Sequence, residues 1–591
     1  MKRKYMLGNE AIAYGLFEGG VDASFSYPGT PSSEITEKLV EIIGNENIYV
    51  EWSINEKVAY ENAYGVSIAG GRSCAIMKHV GLNVAADPFM TSVYTGIKGG
   101  MLLIVADDPF AHSSQNEQDS RRYWQFSKTV CFEPSSIQEA KDMVVFAFDF
   151  SEKIALPVML RSVTRLSHGK ADVVIGYRKR RKREYGFEKD PSKYVMVPSN
   201  ARVALKNLLQ KQVILKKEID KLPFNKLEKK KGKIGVIACG LTYSYVKEFV
   251  ETEKVPCSIL KIGTYPLPEK KVKKFLKDIN EVIVFEEGDS IVEKLIYFYS
   301  KKFSLENKIY GKINNFVEKS GELSVDKVEE TFYKIKKKRK KTYSISLPVR
   351  PPVLCAGCPH LGSFYILKKV FGKDAIFTGD IGCYTLGIKL GTIDTCLCMG
   401  AGITVGTGVS RFEKKNVISI IGDSTFFHTG IPGLINAIYN KSNQVISILD
   451  NRTTAMTGHQ PHPGTGINVK GEETTEIDLK KLVEGCGVKN VIEVDPYEIK
   501  KSVKKVKEIK NKDGLKVIIF KRECVIISKE KKVQYFVNPE KCKGCKLCLE
   551  LGCIAITFKN KKAEIGILCN GCGMCEEICP SGAIERNEQK I

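Results

Sequence analysis

The sequence predicts an α/β protein: two parallel-sheet domains, a smaller α/β domain between them, and a short C-terminal α+β domain. Three observations predict it. Short aliphatic runs, apolar on both faces as buried parallel strands are, alternate with helical periodicity through most of the chain. That alternation fades at three basic stretches, Arg178–Arg183, Lys229–Lys233 and Lys336–Lys341, which divide the chain. Finally, eight of the 19 cysteines lie between Cys542 and Cys579, in a segment with almost no apolar core of its own. A unit that small needs metal to hold it together.

In chain order, residues 1–177 form the first parallel-sheet domain, with Met101–Ala106 as its clearest buried strand. Residues 178–232 read as a basic linker with some helix. Residues 233–335 form the small α/β domain, with strands at Ile234–Gly240 and Val282–Glu287. A basic, proline-bearing bridge, 336–352, leads to the second parallel-sheet domain, 353–528, with strands at Val417–Ile421, Val445–Leu449 and Lys516–Phe520. The tail, 534–591, holds the only visible internal repeat, two Cys-x-x-Cys-x-x-Cys groups beginning at Cys542 and Cys569.

Composition excludes several functions. With 591 residues, 43% hydrophobic and 27% charged, the chain is neither disordered nor a single domain. No apolar run approaches the ~18–20 residues that cross a bilayer, and the start passes straight into an amphipathic pattern, so the expected location is the cytoplasm. An odd number of cysteines in such a chain points away from disulfides and toward metal or redox chemistry. The formal charge of +24 invites a nucleic-acid reading, but the surplus sits in the dividing stretches. It is read as linker and solvated face, or as a surface that steers an acidic protein partner. Neither nucleic acid nor membrane is expected as a partner.

The tail reads Cys542-x2-Cys545-x2-Cys548-x4-Cys553, then Cys569-x2-Cys572-x2-Cys575-x3-Cys579-Pro580. It resembles a two-cluster bacterial ferredoxin, in which the fourth cysteine of each run ligates the other cluster. The resemblance implies one [4Fe-4S] cluster on Cys542, Cys545, Cys548 and Cys579, and another on Cys569, Cys572, Cys575 and Cys553. Structural zinc is the competing use of such spacing. The first run departs from the usual pattern, with four residues before Cys553 and Ile554 where proline is usual.

A second constellation runs Val417-Ile-Ser-Ile-Ile-Gly422-Asp423-Ser424 and, after a helical stretch, Ile448-Leu-Asp-Asn451-Arg-Thr453. Two neighbouring parallel strands end there, at the edge where α/β proteins bind ligands. A carboxylate, an amide oxygen and a backbone carbonyl suit Mg²⁺, with diphosphate oxygens completing its shell. The pattern resembles the thiamine-diphosphate motif, with Ser424 in place of its second glycine. Gly400–Gly408, another glycine-rich run, lacks the preceding strand and the following acid of a dinucleotide loop, and reads as close helix packing.

Taken together, the chain resembles the 2-oxoacid:ferredoxin oxidoreductase superfamily, and within it the alpha subunits of indolepyruvate ferredoxin oxidoreductases. The resemblance runs end to end, through Tyr27-Pro-Gly-Thr-Pro-Ser-Ser-Glu34, Glu51-Trp-Ser-Ile-Asn-Glu-Lys57, Met77-Lys-His-Val-Gly-Leu-Asn83, Ser113-Ser-Gln-Asn-Glu117, Cys355-Ala-Gly-Cys-Pro-His360 and the tail. It implies that both parallel-sheet domains bind thiamine diphosphate, the first its aminopyrimidine and the second its diphosphate. Glu56 is then the carboxylate on the pyrimidine ring, with Glu61 as the alternative. Read alone, Glu56 is a helix N-terminal acid facing the dipole. Thr30 matches a residue that contacts the 2-oxoacid in relatives, and His79 opens a loop expected beside the thiazolium; a turn threonine and a structural histidine are the bland alternatives.

The same resemblance places Gly422, Asp423, Ser424, Asn451, Thr453 and Met456 around the cofactor, with Asp423, Asn451 and Thr453 on Mg²⁺. It also implies a third [4Fe-4S] cluster on Cys355, Cys358, Cys383 and Cys524, where buried cysteines without a ligand are the alternative. Cys239, Cys257, Cys396 and Cys398 are expected to have no ligand role. The implied activity is oxidative decarboxylation of an aryl 2-oxoacid such as indole-3-pyruvate, with CoA, to arylacetyl-CoA and CO₂. Electrons leave through the clusters to ferredoxin, and a beta subunit completes a heterotetramer. Two features point to a large aromatic substrate: Ala106-Asp-Asp-Pro109 where relatives with small substrates place a clamping Arg, and Met456 where they have Asn. Rival readings are an oxidoreductase of pyruvate or branched-chain 2-oxoacids, a non-oxidative thiamine decarboxylase or synthase, and a basic nucleic-acid-binding iron–sulfur protein.

Overall fold

The computed structural model describes residues 2–178, 184–230, 232–336, 347, 348, 350–530 and 533–587. It divides into two compact units, 1–345 and 346–591, each treated by itself below. The central parts of the basic stretches, 179–183, 231 and 337–341, lie outside the described residues. Among the described residues no helix is long and apolar enough to cross a membrane.

The first unit is built on a seven-stranded sheet. Its parallel strands run, in spatial order, Tyr49–Trp52, Ala23–Ser26, Ser73–Lys78, Met101–Asp107, Val158–Val163 and Cys131–Phe132. Met101–Asp107 is buried at every position, the continuous apolar run that a two-sided parallel strand requires. Helices Gly8–Glu18 and Ile137–Ile154 pack on one another, Gly15 of the first meeting Val144 of the second so closely that a Cβ would lie 2.8 Å from its side chain.

A second sheet in this unit has five strands, with Ile234–Cys239 at its centre between Ser258–Ile262 and Glu281–Phe285. The stretch expected as linker is mostly ordered: Pro198–Ile219 is a 22-residue helix, and Lys226–Glu228 pairs antiparallel with Ser258–Ile262 as an edge strand. Thr264–Tyr265 leaves the small sheet and pairs antiparallel with Cys131–Phe132. The larger sheet therefore borrows its last strand from the smaller.

That seam is lined by buried charge. The Arg161 guanidinium is fully buried and pairs with Asp107 at 2.6 Å and with Glu133, while Arg121, equally buried, pairs with Asp119 at 2.6 Å and Glu286 at 3.0 Å. Tyr265 donates its hydroxyl to Glu133 and receives a hydrogen bond from Arg121. Charges taken this far from water persist only when paired in this way.

The second unit centres on a six-stranded, wholly parallel sheet ordered Thr395–Cys396, Ile376–Gly379, Val417–Gly422, Val445–Asp450, Lys516–Lys521 and Asn490–Val494. The tail adds two antiparallel pairs, Tyr535–Val537 with Ile584–Arg586 and Ile556–Lys559 with Lys562–Ile565. Its apolar residues, Leu551, Met574 and Ile584 among them, join the core that also contains Leu361, Phe364 and Val494. The tail thus shares the core of its unit.

Candidate functional site

In the first unit three adjacent strands carry Glu56, Thr30 and His79 to one carboxyl edge. Glu56 opens helix Glu56–Ile68 after strand Tyr49–Trp52; the Asn55 side chain caps that helix by accepting the Val58 amide at 2.9 Å. The Glu56 side chain is buried and lies against Gly81, where an added Cβ would stand 2.3 Å from Oε1. Gly81 is therefore glycine for close approach, a constraint that Val80-Gly-Leu does not advertise in sequence. Glu61, the alternative catalytic acid, is half-exposed and ion-paired to Lys57.

Thr30 sits in the turn after Ala23–Ser26, which is tied internally by Gly29 N to Ser33 Oγ at 2.9 Å and packs through Gly29 on Lys78. His79 follows Ser73–Lys78 and opens a short helix. It is 1% exposed, and among the described residues neither ring nitrogen makes a well-formed hydrogen bond; burial holds its pKa down and the imidazole neutral. Beside it Lys78 donates to Ser113 O at 2.8 Å, and burial lowers its pKa to about 8 against the pull of Asp108. Asp107 and Asp108 close the next strand. Asp107 is taken by Arg161; Asp108 accepts from the Ser113 amide at 2.8 Å, Ser114 at 2.6 Å and Thr164 at 2.7 Å.

In the second unit the carboxyl ends of four neighbouring strands present, in order, Asp380, Asp423, Asn451 and, three residues beyond the strand end at Lys521, Cys524. One end of the Asn451 amide lies 3.2 Å from Asp423 Oδ1 and 2.8 Å from the Thr453 carbonyl oxygen. An amide nitrogen there donates to both. An amide oxygen there completes three oxygens facing one point, the donor set a hard cation takes. Thr453 Oγ1 is buried beside them without a hydrogen-bond partner among the described residues.

Asp423 Oδ2 accepts from the Arg452 amide at 2.8 Å and faces His462 Nε2 at 3.0 Å. Burial opposes its charge, but His462 and these bonds hold the carboxyl below its usual range. Asp450, buried next to it, is pushed up to about 8 by burial and by the Asp423 charge. Arg452 itself adopts a left-handed backbone, φ +62°, which turns the chain so that its amide reaches Asp423. Ser424 accepts from Thr454 at 2.8 Å, Gly422 abuts the Tyr384 ring, and Met456 is half-exposed in the turn Ala455–Thr457. Asp380 accepts from the Gly400 and Gly402 amides at 2.9 and 2.8 Å and so caps the glycine-rich helix Ala401–Val409.

The cysteines group in three sets. The buried Cys548 thiol has Cys545, Cys542 and Cys579 beside it, and Cys575 has Cys572, Cys569 and Cys553; burial and the neighbouring sulfurs push both thiols up. A small cavity is lined by Cys553, Cys569, Cys572 and Cys575 together with Gly357 and Asn570. Cys358 is buried against Cys383, Cys524 and Cys355, and the Cys524 amide donates to Asn451 O at 3.0 Å. Three Cys-x-Gly-Cys loops carry the same left-handed glycine before the second cysteine: Gly357 at φ +68°, Gly544 at +66° and Gly571 at +77°. Among the described residues no three His, Cys, Asp or Glu side chains close tightly enough for a single metal ion; a cubane instead takes each thiolate on a different iron.

Sequence reasoning missed Asp380, Asp450, His462, Lys78 and Gly81. Asp380 had a signal, since Gly379-Asp380 after a strand repeats Gly422-Asp423. Asp450 stands inside the quoted run next to Asn451, but the run gives it no role of its own. His462 arrives from an irregular loop, eleven residues beyond Asn451, with no periodicity to announce it.

Three parts of the chain match models of known protein families. Residues 14–214 match the model of the pyruvate flavodoxin/ferredoxin oxidoreductase thiamine-diphosphate-binding domain. Residues 380–520 match that of the thiamine pyrophosphate enzyme C-terminal TPP-binding domain, and residues 568–585 that of the 4Fe-4S binding domain. The indolepyruvate oxidoreductase subunit IorA of Archaeoglobus fulgidus is 42% identical over 99% of this chain and 97% of its own length. The subunit of that name from Pyrococcus horikoshii is 41% identical over 98% and 96%. A solved 2-oxoglutarate:ferredoxin oxidoreductase from Magnetococcus marinus aligns with 56% of this chain and 65% of its own at 17% identity, with a TM-score of 0.45.

Proposed function

The chain belongs to the indolepyruvate oxidoreductase subunit IorA family, and from that premise we propose that it is the thiamine- and iron–sulfur-bearing subunit of an oxidoreductase that decarboxylates aryl 2-oxoacids and passes the electrons to ferredoxin. The observation that carries the reading is that one compact unit holds both the oxygen face of Asp423, Asn451 and Thr453 and the cysteine sets. A non-oxidative thiamine enzyme has use for the first and none for the second.

Thiamine diphosphate, when bound, supplies the nucleophilic carbon and the electron sink for loss of CO₂. Asp423, Asn451 and the Thr453 carbonyl would hold Mg²⁺ on its diphosphate, with His462 fixing the Asp423 carboxylate from behind. Glu56, buried at its sheet edge against Gly81, would accept the proton on the pyrimidine ring. His79, neutral, and Thr30 line that same edge for the 2-oxoacid.

The four-cysteine sets would hold a cluster each: Cys542, Cys545, Cys548 and Cys579; Cys569, Cys572, Cys575 and Cys553; and Cys355, Cys358, Cys383 and Cys524. The third assignment is supported by the left-handed glycine its Cys355–Cys358 loop shares with the two tail loops, and by Cys524 standing one hydrogen bond from Asn451. CoA would take the acyl group, and a beta subunit and ferredoxin complete the enzyme in the cytoplasm.

An aryl substrate is favoured because the strand end where relatives with small substrates place a clamping Arg carries Asp107, paired to Arg161, and Asp108, held by three hydroxyl and amide donors. The test is viologen or ferredoxin reduction by the complex with a panel of 2-oxoacids and CoA. Higher kcat/KM for indolepyruvate or phenylpyruvate than for pyruvate is expected; the reverse order removes the aryl reading.

A further inference from the structure

The Cys355–Cys358 loop and the Cys569–Cys572 loop are built against one another. At Gly357 an added Cβ would stand 2.0 Å from Asn570 Oδ1, so the two loops touch backbone to side chain. Tyr497 donates its hydroxyl to Gly357 O at 2.6 Å, and its ring lies under the Arg522 guanidinium, 4.6 Å from the centroid. Arg522 is held in turn by Asp495 at 3.1 Å and stands two residues before Cys524. The turn carrying Tyr497 also grips the tail: Pro496 O and Met574 Sδ converge on Gly362, and the Lys500 amide donates to Glu577 at 3.0 Å. The cavity of Cys553, Cys569, Cys572 and Cys575 opens onto Gly357. The Cys542 loop has other neighbours: Gly544 faces Lys561 O, and Lys562 donates to Cys542 O.

We propose that Tyr497 is a positioning residue that fixes the spacing between the Cys355–Cys358 loop and the Cys569–Cys572 loop. The clusters these loops would hold would exchange one electron at a time, the giver oxidised and the receiver reduced with no proton or bond changing partner, so the rate would follow that spacing. The Tyr497 hydroxyl on the Gly357 carbonyl has the Cys358 and Cys572 sulfurs beside it, and its ring is wedged beneath Arg522, so one side chain meets both loops.

The inference rests on the reading that the Cys355 set holds a cluster, so iron is counted first in the anaerobically reconstituted full-length chain. About eight irons per wild-type chain removes that reading and this inference together; about twelve leaves only the pairing and spacing of the two loops at stake. Low-temperature EPR of the reduced chain then reports which clusters are neighbours. Cys545→Ser, which empties the Cys542-set site, is expected to keep the spin–spin splitting between the remaining pair; Cys572→Ser, which empties the Cys569-set site, is expected to abolish it.

In the Cys545→Ser background, Tyr497→Leu should keep its iron but lose splitting. Reduction of the Cys569-set cluster should slow on the order of tenfold, equivalent to about 1.4 kcal/mol. Tyr497→Phe, which keeps the ring, should fall between Leu and wild type. Splitting that survives Cys572→Ser and not Cys545→Ser overturns the pairing of the two loops. Unchanged splitting and rate in Tyr497→Leu, or loss of iron from it, overturns the positioning role.

Discussion

Each unit ends a buried parallel strand in acid, and the two ends are treated in opposite ways. In the first unit Asp107 closes Met101–Asp107 and is met at once by a buried guanidinium, Arg161 at 2.6 Å. In the second, Asp423 and Asp450 close neighbouring strands side by side, and among the described residues no Lys or Arg side chain forms an ion pair with Asp423. Backbone amides, His462 and the neighbouring Asn451 and Asp450 side chains address it instead. A protein that neutralises its carboxylates internally makes structure; one that leaves two acids in contact at a sheet edge keeps a place for a cation, and its unliganded form bears the repulsion.

The largest effect should come from the first edge. Arg161→Leu strands Asp107 and Glu133 as uncompensated buried charges and should cost about 3–5 kcal/mol of stability, read by urea unfolding. Asp423→Asn at the second edge should leave the unfolding midpoint of the cofactor-free chain no lower. If Asp423→Asn destabilises the chain as much as Arg161→Leu does, the two edges do the same job and the comparison fails.

Asp423→Asn should instead weaken Mg²⁺–thiamine diphosphate binding by on the order of 10²-fold or more, at or beyond the loss typical of outer-shell metal partners, measured by calorimetry. Glu56→Gln sharpens the contrast within the first unit, because it removes a buried acid that has chemistry to do beside one that has none. It should retain thiamine diphosphate and fold, while kcat for 2-oxoacid-dependent reduction falls on the order of 10²-fold. Normal turnover in Glu56→Gln would move the role off this carboxylate, and Glu61, paired with Lys57 in solvent, is poorly placed to inherit it.

The seam between the two sheets of the first unit carries its own pH dependence. Glu287 is buried, accepts the Leu323 amide at 2.9 Å, and is pushed by burial up to about 7 from an ordinary 4.5. A carboxyl whose folded pKa is raised contributes its stability fully below about 4.5 and loses it as the pH climbs through about 7. Glu287→Gln should therefore flatten the decline in stability between these limits, by on the order of 2 kcal/mol. An equally steep decline in that variant would assign it to the other acids of the seam.

Much of this was legible in sequence where one residue type at one spacing suffices. The strands that end at Asp107, Asp423 and Asp450 announce themselves as unbroken aliphatic runs, because a strand buried on both faces tolerates nothing else. Cysteine spacing marked the two tail sets, since cluster geometry acts over two-residue gaps, whereas Cys383 and Cys524 were joined to Cys355 and Cys358 only through the family resemblance. What escaped was long-range: Arg161 reaching Asp107, Thr264–Tyr265 crossing into the larger sheet, and Lys226–Glu228 turning an expected linker into an edge strand. None of these has a local period, and each depends on which elements become neighbours.

His462 is the sharpest case of such an escape and gives the smallest predicted effect. It sits in an irregular loop, yet its Nε2 lies 3.0 Å from Asp423 Oδ2, on the carboxylate oxygen turned away from the Asn451 amide, while Nδ1 accepts the Gly464 amide at 3.2 Å. The Gly464 bond fixes the tautomer, leaving the proton on Nε2 to be donated to Asp423. Through that bond the ring orients the oxygen that faces the cation site without touching the cation. His462→Ala should then lower Mg²⁺ affinity about tenfold, the lower bound for an outer-shell partner, and kcat should return at saturating Mg²⁺ because Asp423 itself remains. A variant whose kcat stays low at any Mg²⁺ concentration would place His462 at the reacting atoms, and the second edge would then hold a catalytic base as well as a cation site.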